Sequence, residues 1–358
     1  MSQPERDRRP NRPATRKDVA QRAGVSTATV SYVLNKSQKL PPETVERVLK
    51  AAADLDYRPN FTARSLVTRE TRQIAIVLNN LANPIYADLI RGFENEAISR
   101  GYFVAICTGY QNIDDYFDNF ARRRIDGLFI EALPFKYHME KLQELVDAGI
   151  RVVVFGNTSL DSRLVSHIET DYHAAISEAV AYLTGLGHHD IAYLSGLSRQ
   201  HRFDQRVDAY LAAMQRAGMD PPDRLLIASR GDTDTNIADG EALAAKLLQT
   251  HYRFTAVICT NDLMAVGAMR VFRAAGLSVP ADVSVIGIDG ASICEITEPT
   301  LSTMSVPYAA IGARAFDMLY NDITTGVKGY LKNRAELIER LSAGPVPPAG
   351  LSGSGPPA

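Results

Sequence analysis

Apolar residues recur along this chain in two rhythms. Between residues 15 and 59 they come in short bursts at helical spacing. Val19, Ala20 and Ala23 mark the stripe of a helix over 16–23, with Thr15 as its N-cap, Asp18 near its positive end and Gly24 as its stop. Val25 fills the turn, and Ser26 caps a second helix over 27–34, with Val30, Val33 and Leu34 inward. Pro41-Pro42 opens a third, whose inward face is Val45, Val48, Leu49, Ala52 and Leu55. Pro59 breaks the chain, and Asn60 can cap a fourth short helix over 61–67.

From Gln73 onward short β-rich runs alternate with longer amphipathic stretches. One series comprises Ile74–Leu78, Phe103–Ile106, Gly127–Ile130 and Val152–Phe155. A second comprises Ile191–Leu194, Leu225–Ile227, Ala256–Cys259 and Val283–Ile286. Helical patterns such as Tyr86–Arg100 and Ala174–Leu186 lie between them. Such alternation predicts parallel sheets covered by helices. Two series of four to five strands predict two doubly wound α/β halves, each with a switch point for ligands, and a small-molecule cleft between them.

The ends read differently. Residues 1–14 are rich in Arg, Pro and Asn without periodicity and are expected to form a disordered basic arm. Residues 344–358 read as a disordered Pro/Gly/Ser tail. The expected domains are therefore 15–59, a linker over 60–72, and 73–343.

Composition narrows the class. A hydrophobic share of 46% with 22% charge is that of a globular chain. No apolar run reaches membrane-spanning length, and the basic N-terminus lacks a signal peptide's apolar stretch, so a cytoplasmic protein is expected. Cys107, Cys259 and Cys294 are far apart and read as small buried hydrophobes. The net charge of −2 conceals an asymmetry: residues 1–72 hold fifteen basic against eight acidic residues, the remainder twenty-four against thirty-three. Only the first segment has the balance of a polyanion-binding surface.

The string Asp18-Val19-Ala20-x-x-Ala23-Gly24-Val25-Ser26-x-x-Thr29-Val30-Ser31-x-Val33-Leu34-Asn35 has helix-turn-helix physics. Small residues allow two helices to approach, Gly permits the sharp turn, and Val25 and Val30 fill the angle. The outer face of the second helix carries Thr27, Ala28, Ser31 and Tyr32, short or flat side chains able to enter a major groove. Ser and Thr hydroxyls at the helix start suit phosphate oxygens. The plain alternative is a three-helix bundle with no nucleic-acid role.

Residues 15–67, and less tightly 73–343, resemble the lactose-repressor (LacI/GalR) family of bacterial transcription regulators. The resemblance is carried by DVAQRAGVSTATVSYVLN, LDYRPNFTARSL, NPIYADLIRGFE, LGHHDIAYLSG, AVICTNDLMAVGAM, GLSVPADVSVIGIDG and ELIERLSAGP. It implies a homodimer reading the half-sites of a near-palindromic double-stranded DNA operator. By position, Thr27, Ala28 and Tyr32 are its base readers, and Thr15, Ser26, Thr29, Ser31 and Asn35 its phosphate or positioning residues. Tyr32 stands where many members carry Arg or His, and Pro41 where a Ser cap is common. The resemblance also makes 61–67 a hinge helix, with Asn60 and Ala63 in the DNA-contacting segment and Leu66 as a wedge between minor-groove base steps. Some relatives add a C-terminal leucine heptad that makes tetramers. The tail after Leu341 has none, which favours a dimer.

The remainder resembles the periplasmic-binding-protein fold. Position by position this implies effector contacts at Asn83, Ile85, Tyr86, Asn157, Arg202, Arg206, Asn261, Asp262, Asp289 and Tyr308, a set suited to polyols. Gly156 fills a position where Asp is frequent. Asn261 and Asp262 could instead cap the helix that follows, and Arg206 could be a surface ion-pair partner. Arg199, Arg202 and Arg206, with Gln200 and His201, read either as a site for an anionic effector (a sugar acid, sugar phosphate or nucleobase) or as a solvated loop.

Enzyme chemistry has no residues to stand on, and neither cofactor nor metal is expected. His188-His189-Asp190 reads as a loop or cap, since adjacent histidines point apart. Asp232-x-Asp234-x-Asn236 opens like a calcium loop but has Ile237 where Gly is needed and Leu243 where Glu is needed. The competing classes are a ligand-responsive repressor, an exported sugar receptor and a sugar-modifying enzyme. The headpiece favours the first.

Overall fold

The computed structural model describes residues 14–35, 39–58, 70–78, 81–108, 113–131, 139–156, 163–196, 205–219, 225–229, 235–250 and 252–346. The chain divides into two compact units, Met1–Thr71 and Arg72–Ala358.

The first unit holds α1 (Arg16–Ala23), α2 (Thr27–Asn35) and α3 (Pro42–Asp54). A capping box starts α1: the Thr15 hydroxyl accepts from the Asp18 N–H at 3.4 Å, and the Asp18 carboxylate accepts from the Thr15 N–H at 2.7 Å. Gly24 ends it with φ at +65°, a left-handed conformation that costs glycine little. The Val25 N–H then closes back on the Ala20 carbonyl at 3.0 Å. The Ser26 hydroxyl accepts from the Thr29 N–H at 3.1 Å and opens α2. Val19, Ala20, Ala23, Val30, Val33, Val48, Ala51 and Ala52 form the core of this unit. Leu49 is a correction. It was expected to face inward but is 51% exposed. At 100° per residue the stripe formed by Val48, Ala51 and Ala52 is centred roughly a quarter-turn or more away from it.

The second unit begins with β1 (Gln73–Leu78), α4 (Ile85–Ser99), β2 (Phe103–Thr108), α5 (Ile113–Arg123), β3 (Gly127–Glu131), α6 (Met139–Asp147), β4 (Arg151–Phe155) and β5 (Ser166–Thr170). It continues with α7 (Tyr172–Gly185), β6 (Ile191–Ser195), α8 (Gln205–Arg216), β7 (Leu226–Ala228), α9 (Ile237–Gln249), β8 (Ala256–Cys259), α10 (Asp262–Ala274), β9 (Ser284–Asp289) and β10 (Ser302–Ser305). Last come α11 (Tyr308–Thr325), β11 (Tyr330–Asn333) and β12 (Glu336–Ile338). One sheet runs β11-β5-β4-β3-β1-β2, the other β12-β10-β9-β8-β6-β7. All pairings are parallel except β10 with β12.

Among the described residues each sheet thus has six strands, against the four to five expected. The additional ones have no apolar run to announce them. Ser166–Thr170 and Ser302–Ser305 are rich in hydroxyls, and buried serines tie such segments to the fold. The Ser342 hydroxyl accepts from the Ser302 N–H at 2.8 Å, and that of Ser166 from the Gly329 N–H at 3.0 Å.

The chain passes between the sheets three times: after β5, after β10, and between β11 and β12. Two of these passages are tied together. The Asp171 N–H donates to the Asn333 carbonyl at 2.8 Å, and Lys332 pairs with Asp171 at 3.0 Å. In each half, two helices cross at glycines. A Cβ on Gly92 of α4 would strike the Ala309 carbonyl of α11, and one on Gly240 of α9 would strike Met264 of α10. The switch points lie between β1 and β3 in one sheet and between β6 and β8 in the other, so both sheets offer ligand positions at strand C-termini.

Candidate functional site

On α2, Thr27 and Ala28 are exposed and Tyr32 is 38% exposed, while Val30 and Val33 are buried in the headpiece core. Spacings of one, four and five place the three on a single outer face, with half-buried Ser31 beside them. The hydroxyls at the helix starts are already engaged. Thr15 donates to Asp18 at 2.6 Å, and the Ser26 and Thr29 hydroxyls lie 2.9 Å apart. Asn35 closes α2, and its side chain lies outside the described residues. Asn60, Ala63 and Leu66 also lie outside them, as do Asn157, Arg199, Gln200, His201 and Arg202.

In the second unit the strand ends bring several of the expected cleft residues together. Asp289, the last residue of β9, is 4% exposed and has φ at +127°. That backbone conformation is costly for an L-residue and is held by its surroundings. The Tyr308 hydroxyl, from α11, donates to Asp289 Oδ1 at 2.7 Å. Asn83, just ahead of α4, donates through Nδ2 to Asp289 Oδ2 at 3.4 Å, while its Oδ1 accepts from the Ile85 N–H at 3.3 Å. Asn83 and Asp289 belong to opposite halves, so this bond joins the two.

Burial pushes the Asp289 carboxyl well up from the ordinary carboxylate range, and the nearby Asp262 carboxylate adds to the shift. Tyr308, Arg206 and Asn83 oppose it. Burial, with Asp289, Tyr172 and Tyr86 close by, holds the Tyr308 phenol protonated as a donor. Arg206, near the start of α8, donates to the Thr260 carbonyl at 3.3 Å, and its guanidinium lies 4.9 Å from the Tyr172 ring centre. Ile85 is buried in the hydrophobic core beside Tyr86. The Tyr86 hydroxyl donates to Glu131 Oε1 at 2.5 Å.

Asn261 and Asp262 spend their polar atoms inside the protein. Asn261 Oδ1 accepts from the Met264 N–H at 2.9 Å and caps α10, while its Nδ2 donates to the Thr235 carbonyl at 2.8 Å. Asp262 accepts from the Thr303 hydroxyl at 2.5 Å and from the Ala291 N–H at 2.7 Å. It thereby braces the turn that follows Asp289. His188 is likewise internal, with Nδ1 3.0 Å from the Thr255 hydroxyl and Nε2 2.9 Å from the Gly344 carbonyl. Asn236 and Asp239 form the capping box of α9.

Sequence reasoning missed Glu131, Tyr172 and Thr260. Glu131 and Thr260 carry a usable signal, being polar residues at or just past the C-terminal end of an apolar parallel strand. Tyr172 carried none, because its aromatic ring reads as core.

Residues 15–60 match the model for bacterial regulatory proteins of the lacI family, and residues 180–343 that for a periplasmic binding protein-like domain. The HTH-type transcriptional repressor PurR of Vibrio campbellii is 34% identical over 318 residues, covering 87% of this chain and 92% of its own. This chain belongs to the LacI family. The PurR of Edwardsiella ictaluri is 33% identical over 340 residues, covering 93% and 98%. Among solved structures, the lac repressor dimer bound to operator and the anti-inducer ONPF superposes with a TM-score of 0.78 at 26% identity, covering 93% of this chain and 100% of that one. The transcriptional regulator CelR in complex with cellobiose gives 0.69 at 28% identity, covering 92% and 100%. The fold is thus LacI-like: a helix-turn-helix headpiece followed by two parallel-sheet α/β subdomains. Among the described residues no helix is long and apolar enough to cross a membrane.

Proposed function

We propose that this LacI-family regulator represses transcription by binding a near-palindromic operator as a homodimer, under the control of a small molecule held in the cleft. The observation that carries this reading is the outer face of α2, where Thr27, Ala28 and Tyr32 stand exposed on a capped helix of a helix-turn-helix headpiece. Those three reach base edges in the major groove, while Ser26, Thr29, Ser31, Asn35 and Thr15 set the register on phosphates. Tyr32 offers one hydroxyl and a flat apolar ring. It has no fork for a guanine, so it favours contact with a thymine methyl or a single acceptor.

The remaining boundaries belong to the same reading: an arm over 1–14, a headpiece over 15–59, a hinge over 60–72, an effector domain over 73–343 and a tail over 344–358. In the hinge, Asn60 and Ala63 meet the minor groove and Leu66 enters it as a wedge. In the effector domain Asn83, Ile85, Tyr86, Asn157, Arg202, Arg206, Asp289 and Tyr308 surround the ligand, a sugar, sugar acid, sugar phosphate or nucleobase. Asp262 acts from behind, by fixing the Asp289 turn, and Asn261 by capping α10 beside it. The bond from Asn83 to Asp289 joins the two halves, so a ligand that replaces or reinforces it has different affinities for open and closed forms, the condition for control. PurR proteins are named repressors, the lac repressor was solved on operator as a dimer, and CelR was solved with cellobiose. These relatives support a non-enzymatic role, exercised in the cytoplasm where operator DNA lies.

A gel shift on DNA from upstream of the protein's own gene tests the reading. Specific retardation that survives competitor DNA and weakens steeply with salt is expected. Retardation no stronger than on unrelated duplex would overturn it. Leu66→Ala should weaken operator binding strongly while leaving effector binding intact.

A further inference from the structure

Residues 73–358 hold twenty-four basic residues, and Arg122-Arg123-Arg124 is the one place where any of them are adjacent. The acidic balance of that stretch hides the run. Arg122 and Arg123 close α5, and Arg124 follows it with φ at +52°. All three are exposed, and among the described residues none of their side chains is hydrogen-bonded or ion-paired. Other arginines of this half are spent within the fold. Arg100 pairs with Glu96 at 2.7 Å and with Asp317 at 2.8 Å, and Arg151 lies 3.8 Å from the buried Asp322. One cation in a last turn is accounted for by the helix dipole. Three in succession are not, since side chains about 100° apart fan out around the helix end instead of converging on its carbonyls.

The place of the run points to its partner. The second unit begins at Arg72, and Asp126, two residues beyond Arg124, fastens that entry. The Asp126 Oδ2 accepts from the Arg72 N–H at 2.7 Å, and the Asp126 N–H donates to the Gln73 carbonyl at 2.9 Å. Two residues of backbone span at most about 7 Å, so the arginines stand at the edge where the chain arrives from the proposed hinge. Resting on the operator-binding reading, we propose that Arg122, Arg123 and Arg124 form a second DNA-contacting surface, outside the headpiece and hinge, whose ligand is the phosphate backbone of the operator duplex. A duplex carries one negative charge per about 1.7 Å of its axis, and a fan of exposed guanidinium groups suits such a row of phosphates better than a single small anion. These contacts carry no base information. They strengthen binding and steepen its salt dependence on every sequence alike.

The test compares the full-length wild type with Arg122→Gln/Arg123→Gln/Arg124→Gln on the duplex that wild type selects from a randomised pool. Affinity is read by fluorescence anisotropy over a series of KCl concentrations. Each lost phosphate contact lowers the slope of log affinity against log salt by about 0.9. With two copies on the operator, the variant should lower that slope by about 2 or more and bind at least roughly fivefold more weakly, with its base preference unchanged. Arg122→Lys/Arg123→Lys/Arg124→Lys should keep most of the affinity, because a phosphate accepts from either cation. Arg216→Gln/Lys246→Gln/Arg253→Gln removes the same charge from exposed positions of the other half and should leave the slope near that of wild type. Unchanged melting temperatures show that the variants are folded. A variant of the arginine run to Gln with wild-type affinity and slope would overturn the phosphate surface and leave operator binding standing. So would equal losses in the two charge-removing variants, or a changed base preference. Wild type that selects no sequence would overturn the operator reading and the proposal with it.

Discussion

At the scale of the residue, Asp289 concentrates the chemistry of the proposed effector site. Its left-handed φ and its burial are both unfavourable by themselves, and the bonds from Tyr308 and Asn83 hold it in place. Because its carboxyl titrates higher than usual, a donor-bearing effector binds best once that group is ionised. Affinity for a neutral effector should rise with pH through the raised titration of Asp289, and Asp289→Asn should abolish the dependence. The same change should weaken binding by about tenfold or more, since a hydrogen bond to a charged group contributes about 1.5–3 kcal/mol. Calorimetry between pH 5 and 8 reads both effects. An affinity that falls with pH in wild type would contradict the assignment.

His188 is shifted in the opposite sense. Burial lowers the pKa of its imidazole below the ordinary value, with the neighbouring His189 adding to the effect and the Gly344 carbonyl resisting it. The unfolded chain then binds a proton that the folded one refuses. Stability is thus full above the unfolded imidazole value near 6.5 and is lost as pH falls through it toward the lower folded value. Urea midpoints should drop between pH 7.5 and 5.5, and by less in His188→Gln. The pattern LGHHD suggested a loop or cap at this point. It did not reveal that the ring ties the Thr255 segment to the C-terminal Gly344, because that contact joins residues far apart in sequence.

At the scale of the element, helix crossings follow from where the glycines lie. Adding a methyl to an exposed helical glycine gains up to about 1 kcal/mol through propensity. At Gly92 and Gly312 the methyl would strike the partner helix backbone, so Gly92→Ala and Gly312→Ala should each lose about 1–3 kcal/mol in urea denaturation. Gly185→Ala, with nothing within 4 Å of its Cβ position, should be neutral or stabilising. Equal responses at these positions would contradict the packing account. Thr15→Ala removes a capping box and should cost the headpiece about 1 kcal/mol.

Caps, turns and apolar periodicity made the headpiece helices legible, because the signals there are local. The core strands of both sheets were legible as buried runs. The hydroxyl-rich strands β5 and β10 were not, because they have no apolar run and serine bonds to distant segments tie them in. Leu49 was misplaced because two adjacent apolar residues on a helix cannot both lie at the centre of one stripe. In the cleft, the sequence named Asn83, Tyr86, Arg206, Asp289 and Tyr308 through family resemblance. Glu131 was overlooked although an acidic residue ending an apolar parallel strand is a usable signal; its bond from Tyr86, which joins residues far apart in sequence, is not.

At the scale of the whole molecule, a basic DNA-reading segment is joined to an acidic sensor. Fifteen basic residues in 1–72 place most of the salt-dependent part of binding in the headpiece and linker. Sedimentation should give a dimer, as two headpieces reading the halves of one near-palindrome require. In the proposed function α2 reads sequence, with Thr27, Ala28 and Tyr32 as its readers. The most direct test is selection of binding sites from randomised duplexes by the full-length protein, repeated with Tyr32→Ala. Enrichment of a near-palindrome with a flexible pyrimidine–purine step at its centre is expected, with relaxed preference in the variant at one symmetric pair of positions. Failure to enrich any sequence over the starting pool, or enrichment unaltered by the variant, would contradict it.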